Sequence, residues 1–140
     1  MADNNVEIVR SAFDAIRRRD IDALLSLYHP DIEFLPLTGT RVEHGGYAGH
    51  SGVRSYFDEV AEVWEEMRPY EESSHPVGDH VVVTGGCAVR GIGSGVASDD
   101  PMAWVITLAD GKITRHRAYR TAAEALDAVD GQDSDGPVSA

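Results

Sequence analysis

One run near the C-terminus combines a turn, a strand and the start of a helix, and it restricts the folds open to this chain. Asp110-Gly111 is a strong signal for a hairpin turn. From Ile113 to Tyr119 the side chains alternate between two faces of the predicted strand, and both faces carry polar residues. Thr121-Ala-Ala-Glu124 is a capping box, which marks the first turn of a helix. A strand that is polar on both sides predicts that one side lines a cavity or contacts a partner.

The elements before this run are predicted in the order helix, helix, strand, helix and several antiparallel strands. Asp20 is expected to cap the second helix and Pro30 to end it. The third helix is expected to begin at Ser51 and to end at Pro69. The glycine-rich stretch from Gly91 to Pro101 is expected to form a flexible hairpin connection. This order predicts an α+β fold, in which a curved antiparallel or mixed sheet wraps around helices into a cone with an internal cavity.

The composition limits the partners and the location of the protein. The chain has 140 residues with a net charge of −12. This charge repels phosphate groups, so neither nucleic acid nor an anionic membrane surface is expected as a partner. No apolar run approaches the roughly 20 residues of a spanning helix, and no signal peptide is visible at the N-terminus. Together with the single Cys87, these observations predict a cytoplasmic protein.

The length predicts one domain, which we expect to span residues 1–130. Residues 131–140 are polar and rich in Gly, Asp and Ser, and we expect them to form a disordered tail.

Three separated segments resemble one known family. Arg19–Phe34, Tyr47–Phe57 and Gly111–Tyr119 are similar to the SnoaL-like group of the nuclear transport factor two-like superfamily. Ketosteroid isomerase, limonene epoxide hydrolase, scytalone dehydratase and polyketide cyclases share its cone-shaped fold. The resemblance covers roughly residues 5 to 130. It implies a homodimer formed through the outer face of the sheet, to which Cys87, Val89, Val105 and Tyr119 would contribute. It does not select a reaction.

The resemblance to ketosteroid isomerase does not extend to its catalytic groups. The positions that match the isomerase's tyrosine donor, aspartate base and second acid are Ala12, Pro36 and Trp104. None of these side chains can transfer a proton, and a base must reach the proton that it removes. The resemblance therefore argues against steroid isomerisation by that mechanism.

The other enzymes of the superfamily match only in part. Epoxide hydrolases hold water with an Asp-Arg-Asp arrangement, for which Arg90 could supply the arginine. Asp99 and Asp100 fall in the predicted hairpin connection, so no aspartate is expected on an inward strand position. Dehydratases use histidines and tyrosines in the cavity, for which His116 and Tyr28 are available without a matching motif.

The resemblance implies that His116 and Arg120 face the cavity. His116, with an ordinary pKa of about 6.5, is the candidate general acid or base; the alternative is a hydrogen-bonded interior histidine. Arg90 or Arg120 would stabilise a developing negative charge; the alternative for each is a salt bridge at the rim. Five aromatic residues are expected to line the pocket or simply to pack in the core: Phe13, Tyr28, Tyr56, Trp64 and Trp104.

No metal or cofactor is expected. His44 and His50 lack the spacing of a zinc site, and no Cys accompanies them. The sequence therefore predicts a domain that binds a small, mostly apolar organic molecule. Acid–base chemistry that needs no cofactor, of the isomerase, cyclase, dehydratase or hydratase type, is left open as an additional activity. The alternative is a non-catalytic ligand-binding or protein-interaction module.

Overall fold

The structure is a computed structural model that describes residues 2–39, 41 and 44–138. Its helices are α1 (Ala2–Arg17), α2 (Ile21–Leu27), α3 (Gly49–Val63) and α4 (Ala122–Val138). Its strands are β1 (Tyr28–Leu35), β2 (Tyr47–Ala48), β3 (Trp64–Val77), β4 (His80–Gly91), β5 (Ala97–Ala109) and β6 (Lys112–Tyr119).

The six strands form one mixed sheet in the order β2-β1-β6-β5-β4-β3. β1 and β6 are parallel, and every other neighbouring pair is antiparallel. The predicted α+β class with a mixed sheet and helices packed against it is confirmed. Two predicted helix starts are also confirmed. Asp20 caps α2 by accepting a hydrogen bond from the Ala23 amide, and Thr121 and Glu124 form the expected capping box of α4.

Each face of the sheet carries its own apolar core. The larger core lies on the concave face, where α1, α2 and α3 pack against inward side chains such as Val81, Val83 and Ile106. The smaller core lies on the convex face, where Ala125 and Val129 of α4 cover Val82, Ala103 and Val105. Burial on both faces explains why Val81 to Val83 is an uninterrupted apolar run.

The outer, convex face of the sheet does not carry all of the residues expected at the dimer interface. Val105 and Tyr119 do lie on it, but they pack against α4 of the same chain. Cys87 and Val89, which we also assign to that face from the family comparison, line the cavity on the opposite side. The reason is the alternation along β4, which places odd-numbered residues from Val81 onward on the concave side.

α2 ends at Leu27 and β1 begins at Tyr28, so Pro30 lies within a strand and does not end the helix. Two further element boundaries differ from the sequence prediction. α3 ends at Val63 rather than near Pro69, because the following residues pair with β4 along its whole length. β5 begins at Ala97, so the predicted flexible connection is shorter and Asp99 and Asp100 lie in a strand. In both cases pairing across the sheet overrides a local helix or loop preference.

Gly85 and Gly86 allow β3 and β4 to approach closely. A side chain on Gly85 would lie 1.9 Å from the Tyr70 carbonyl oxygen, and the β3–β4 register shifts between Glu71 and Ser73. Paired glycines within a strand pattern predict a bulge or a bend, and the irregularity lies in the partner strand opposite them.

Two predictions fall partly outside the described residues. The short strand and loop predicted for Arg41 to Gly49 include residues 42–43, and the predicted tail includes residues 139–140; these four positions lie outside the described residues. The domain division at residue 130 stays a prediction. Within the described part of the chain, no helix is long and apolar enough to cross a membrane.

Candidate functional site

A cavity of about 310 Å³ lies between the helices and the concave face of the sheet. Its walls come from α1, α3 and the inward positions of β1, β3, β4, β5 and β6. Most of the lining is apolar. The polar or ionisable groups among the lining residues are His116, Tyr56, Thr38, Cys87, Asp100 and Arg120.

His116 occupies the inner end of the cavity. Its side chain is buried, with 4% of its surface exposed. The ring stacks on Phe13 at 6.0 Å and lies 4.9 Å from the ring of Phe34, measured between centroids. His116 Nδ1 is 2.7 Å from the hydroxyl oxygen of Tyr28, which is fully buried behind it. The inner end therefore consists of one histidine–tyrosine pair surrounded by aromatic rings.

Burial keeps both members of this pair uncharged. Loss of hydration lowers the pKa of His116 to about 3, because the imidazolium ion is poorly stabilised in apolar surroundings. Burial, with a smaller contribution from nearby Tyr56, raises the pKa of the Tyr28 phenol well above its ordinary value. At neutral pH the pair is a neutral imidazole next to a neutral phenol.

Aromatic and sulfur-containing side chains form the middle of the cavity. Tyr56 packs 4.9 Å from Phe34, and its hydroxyl donates to the Met67 sulfur at 3.8 Å. Trp104 meets Phe13 edge to face at 4.8 Å. These contacts give a wall that suits an apolar, ring-containing molecule.

Cys87 also lines the cavity, on β4 directly opposite Asp100 of β5. Burial, followed by the charge of Asp99, raises the pKa of its thiol to about 11. The thiol is therefore protonated at neutral pH and is a poor nucleophile.

The rim carries the charged groups. Arg120 and Asp100 line the cavity but are exposed, and the Arg120 guanidinium has no ion pair among the described residues. His116 is paired with Ile106 across the β5–β6 ladder. Asp100 lies six residues before Ile106 on the same face of β5, which corresponds to roughly 20 Å along the strand. Charge and imidazole therefore lie at opposite ends of the site.

A second cavity, of about 350 Å³, lies beyond a wall that includes Phe57 and Met67. Its two arginines are already engaged. Arg54 is paired with Asp22, and Arg19 donates to the Glu65 carbonyl oxygen at 2.6 Å. Although this space is somewhat larger, both of its arginines are satisfied within the protein, so we assign the candidate site to the first cavity.

The SnoaL-like domain profile matches residues 9–116 of the chain. The protein belongs to the SnoaL-like domain family. This finding confirms the predicted family and its nuclear transport factor two-like fold. Among proteins with curated descriptions, none matches this chain.

Solved structures agree with this SnoaL-like assignment. A protein of unknown function from Burkholderia pseudomallei, described as similar to nuclear transport factor two, has 25% identity and a TM-score of 0.75, covering 89% of this chain and 95% of its own. TerC, co-crystallised with polyporic acid, has 27% identity and a TM-score of 0.73, covering 89% and 96%. RV0760c from Mycobacterium tuberculosis, in complex with estradiol-17β-hemisuccinate, has 18% identity and a TM-score of 0.72, covering 84% and 94%. The last similarity shows the fold alone.

The SnoaL-like cone brings together most of the predicted site residues. Phe13, Tyr56, Trp64 and Trp104 line the cavity, as do His116 and Arg120. Tyr28 does not line it and instead contacts His116 from behind. Their functional roles stay predictions.

Arg90 was expected in the site but lies outside it. It does not line the cavity. Its guanidinium pairs with Glu65 and Glu66, each at 3.1 Å, and its side chain is 43% exposed. The cause is the β3–β4 register, which places Arg90 directly opposite Glu66. Arg90 therefore forms salt bridges, which is the alternative that the sequence analysis left open for it.

Sequence reasoning missed Asp100 as a lining residue. The signal that could have found it is the alternation along β5, since Met102, Trp104 and Ile106 point inward and Asp100 continues the even-numbered series. Assigning Asp100 to a loop removed it from that series.

The described residues provide no group of three His, Cys, Asp or Glu side chains suited to a metal ion. His50 has a structural contact, since its Nε2 lies 3.0 Å from the Tyr28 carbonyl oxygen. Pro36 and Trp104, which match two catalytic positions of ketosteroid isomerase, line the cavity without offering an acid or a base.

Proposed function

We propose that this SnoaL-like protein binds a small, mostly apolar organic molecule in the cavity that ends at His116. The observation that carries the proposal is the cavity itself, about 310 Å³ of space with apolar walls and one buried imidazole. Ligand sites in proteins are concave, largely apolar and supplied with a few polar groups that orient the ligand. A cone filled by its own side chains would instead have favoured an interaction module.

The relatives support this proposal at the level of ligand class. TerC, which is 27% identical, was co-crystallised with polyporic acid, an organic ligand. A cavity that serves the same purpose here would take an organic molecule through shape and apolar contact.

A second candidate function is cofactor-free chemistry on that ligand, of the isomerase, cyclase, dehydratase or hydratase type. The feature that favours it is the position of His116 inside the cavity with a hydrogen-bonded partner. The low pKa of His116, about 3, restricts its part to that of a neutral hydrogen-bonding group at neutral pH. Arg90 has no part in this chemistry, and Arg120 is the remaining candidate for binding negative charge.

The two tryptophans offer a direct test of binding. The chain has two Trp residues, and both line the cavity. We expect saturable quenching of their fluorescence when 2-acetylnaphthalene is titrated into the protein. Ala118→Phe, which fills the cavity from β6, should weaken this binding at least tenfold, and Val89→Phe should act in the same direction.

The matched control is Ala109→Phe, which adds the same ring at an exposed position outside the cavity. It should bind the probe as the unchanged protein does, and circular dichroism should show that all variants are folded. Absence of saturable quenching in the unchanged protein, or equal binding by the filled variants, would overturn the proposal and favour an interaction module.

We further propose a homodimer and a cytoplasmic location, which rest on the family resemblance and on the sequence. α4 already covers part of the convex face, so a dimer would use the remaining outer surface of the sheet. Sedimentation equilibrium tests the dimer, and a monomer at micromolar concentration would contradict it. Fractionation of native cells tests the location.

A further inference from the structure

The hydrogen-bonding state of His116 follows from counting protons at the inner end of the cavity. The Tyr28 hydroxyl is fully enclosed, and its hydrogen-bond partner among the described residues is His116 Nδ1. The other ring nitrogen of His116, Nε2, has no partner in the described part of the chain, yet it is not one of the fully enclosed unpaired atoms. Nε2 therefore faces the space of the cavity.

Two arrangements of the protons are possible for a neutral pair. If His116 Nδ1 donated to the Tyr28 oxygen, the phenol proton would be buried without an acceptor. If Tyr28 donates to Nδ1, the imidazole proton lies on Nε2, where a ligand or water can accept it. A buried donor without a partner is costly, so the second arrangement is favoured.

The surroundings make this donor selective. Phe13 and Phe34 flank the ring and offer no acceptor to Nε2. A ligand that fills the inner end without an acceptor would leave the N–H group buried and unpaired. Sites built around a polar group reject analogues that cannot pair with it much more strongly than apolar pockets reject a change of shape.

We propose that Tyr28 holds His116 as a neutral Nε2–H donor, and that the cavity therefore selects apolar molecules whose buried end carries a carbonyl oxygen. The inference rests on the proposed binding function and adds the chemical class of the ligand. If the bound molecule reacts, the same N–H would stabilise negative charge that develops on that oxygen, without transfer of the histidine proton.

The test compares two probes of nearly equal shape, 2-acetylnaphthalene and 2-ethylnaphthalene, which differ in a carbonyl oxygen. Tryptophan quenching should show that the ketone binds roughly tenfold to a hundredfold more tightly. The preference should disappear in His116→Phe, which keeps an aromatic ring but lacks the N–H. It should shrink in Tyr28→Phe, which frees the imidazole to adopt either arrangement.

A second measurement holds even if these variants do not fold. Long-range proton–nitrogen NMR correlations of the unchanged protein distinguish a protonated from a bare ring nitrogen. We expect the proton of His116 on Nε2. A proton on Nδ1, or equal binding of the two probes, would overturn the inference and leave the binding function intact. Failure of both probes to bind would count against the binding function and against the inference that rests on it.

Discussion

The two ends of the cavity are built on opposite principles. At the inner end, His116 and Tyr28 are buried, hydrogen-bonded to each other and uncharged. At the rim, Asp100 and Arg120 are exposed and charged. His116 lies on β6 and Asp100 on the neighbouring β5, and the two ends are roughly 20 Å apart along β5.

The difference between the buried end and the exposed rim determines which polar interactions with a ligand can be strong. In the apolar interior an ion is poorly solvated, so polar residues there act as neutral hydrogen-bonding groups with fixed geometry. At the rim, water screens charges and each ion contributes little to stability or affinity. Recognition of shape and of the carbonyl group therefore belongs to the inner end, and adjustment by charge belongs to the rim.

The largest difference should appear in stability. Phe13 is buried and contacts both Trp104 and His116. Phe13→Ala should lower the free energy of unfolding by about 3–5 kcal/mol, since it removes a large buried ring and leaves a void. Met102→Ala, nearer the rim and partly exposed, should cost less than about 2 kcal/mol because its side chain is only partly removed from water. Urea unfolding followed by circular dichroism measures both changes. Equal losses of unfolding free energy would contradict the contrast between a buried inner end and a partly exposed rim.

A smaller effect is expected from acid. An unfolded histidine has a pKa of about 6.5, whereas His116 has one of about 3 in the folded protein. The unfolded state therefore binds more protons between these values, and the stability that is present above pH 6.5 is lost as the pH falls. From pH 6 to pH 4 this histidine should account for about 2–3 kcal/mol of lost stability.

His116→Gln isolates this contribution, because glutamine can still hydrogen-bond to Tyr28 but does not titrate. Its unfolding free energy should fall less steeply between pH 6 and pH 4 than that of the unchanged protein. His75→Gln, which replaces an exposed histidine, is the matched control and should leave the slope unchanged. Equal slopes for all three proteins would mean that His116 is accessible to protons.

The sequence predicts those features of the site that depend on local signals, and it does not predict those that depend on how strands pair. His116 was placed inward because strand alternation and the family resemblance agree, and the capping box of α4 is a local signal that needs no tertiary information. The pairing of Arg90 with Glu66 depends on the register of β3 against β4. The inward position of Asp100 depends on where β5 begins. Both are set by pairing across the sheet, which local patterns do not specify.

The smallest predicted effect concerns the rim. Arg120 lies four residues beyond His116 and directly follows the last residue of β6, which corresponds to roughly 13 Å of extended chain. A ligand that binds His116 through a ketone and carries a carboxylate at its far end, such as 6-acetyl-2-naphthoic acid, can bring that carboxylate towards Arg120. Arg120→Gln should weaken binding of this acid by about twofold to fivefold, as expected for an exposed charge pair. Binding of 2-acetylnaphthalene should not change.

Charge at the rim should act in both directions. Asp100→Asn should strengthen binding of the acid by a similar factor, since it removes a like charge near the same opening. Both effects should decrease as salt is added, because exposed charges are screened. Arg90→Gln is the control, since Arg90 is paired with Glu65 and Glu66 outside the cavity. If Arg90→Gln changed the affinity as much as Arg120→Gln, net charge rather than position would govern the rim, and the division between a specific inner end and an adjustable rim would fail.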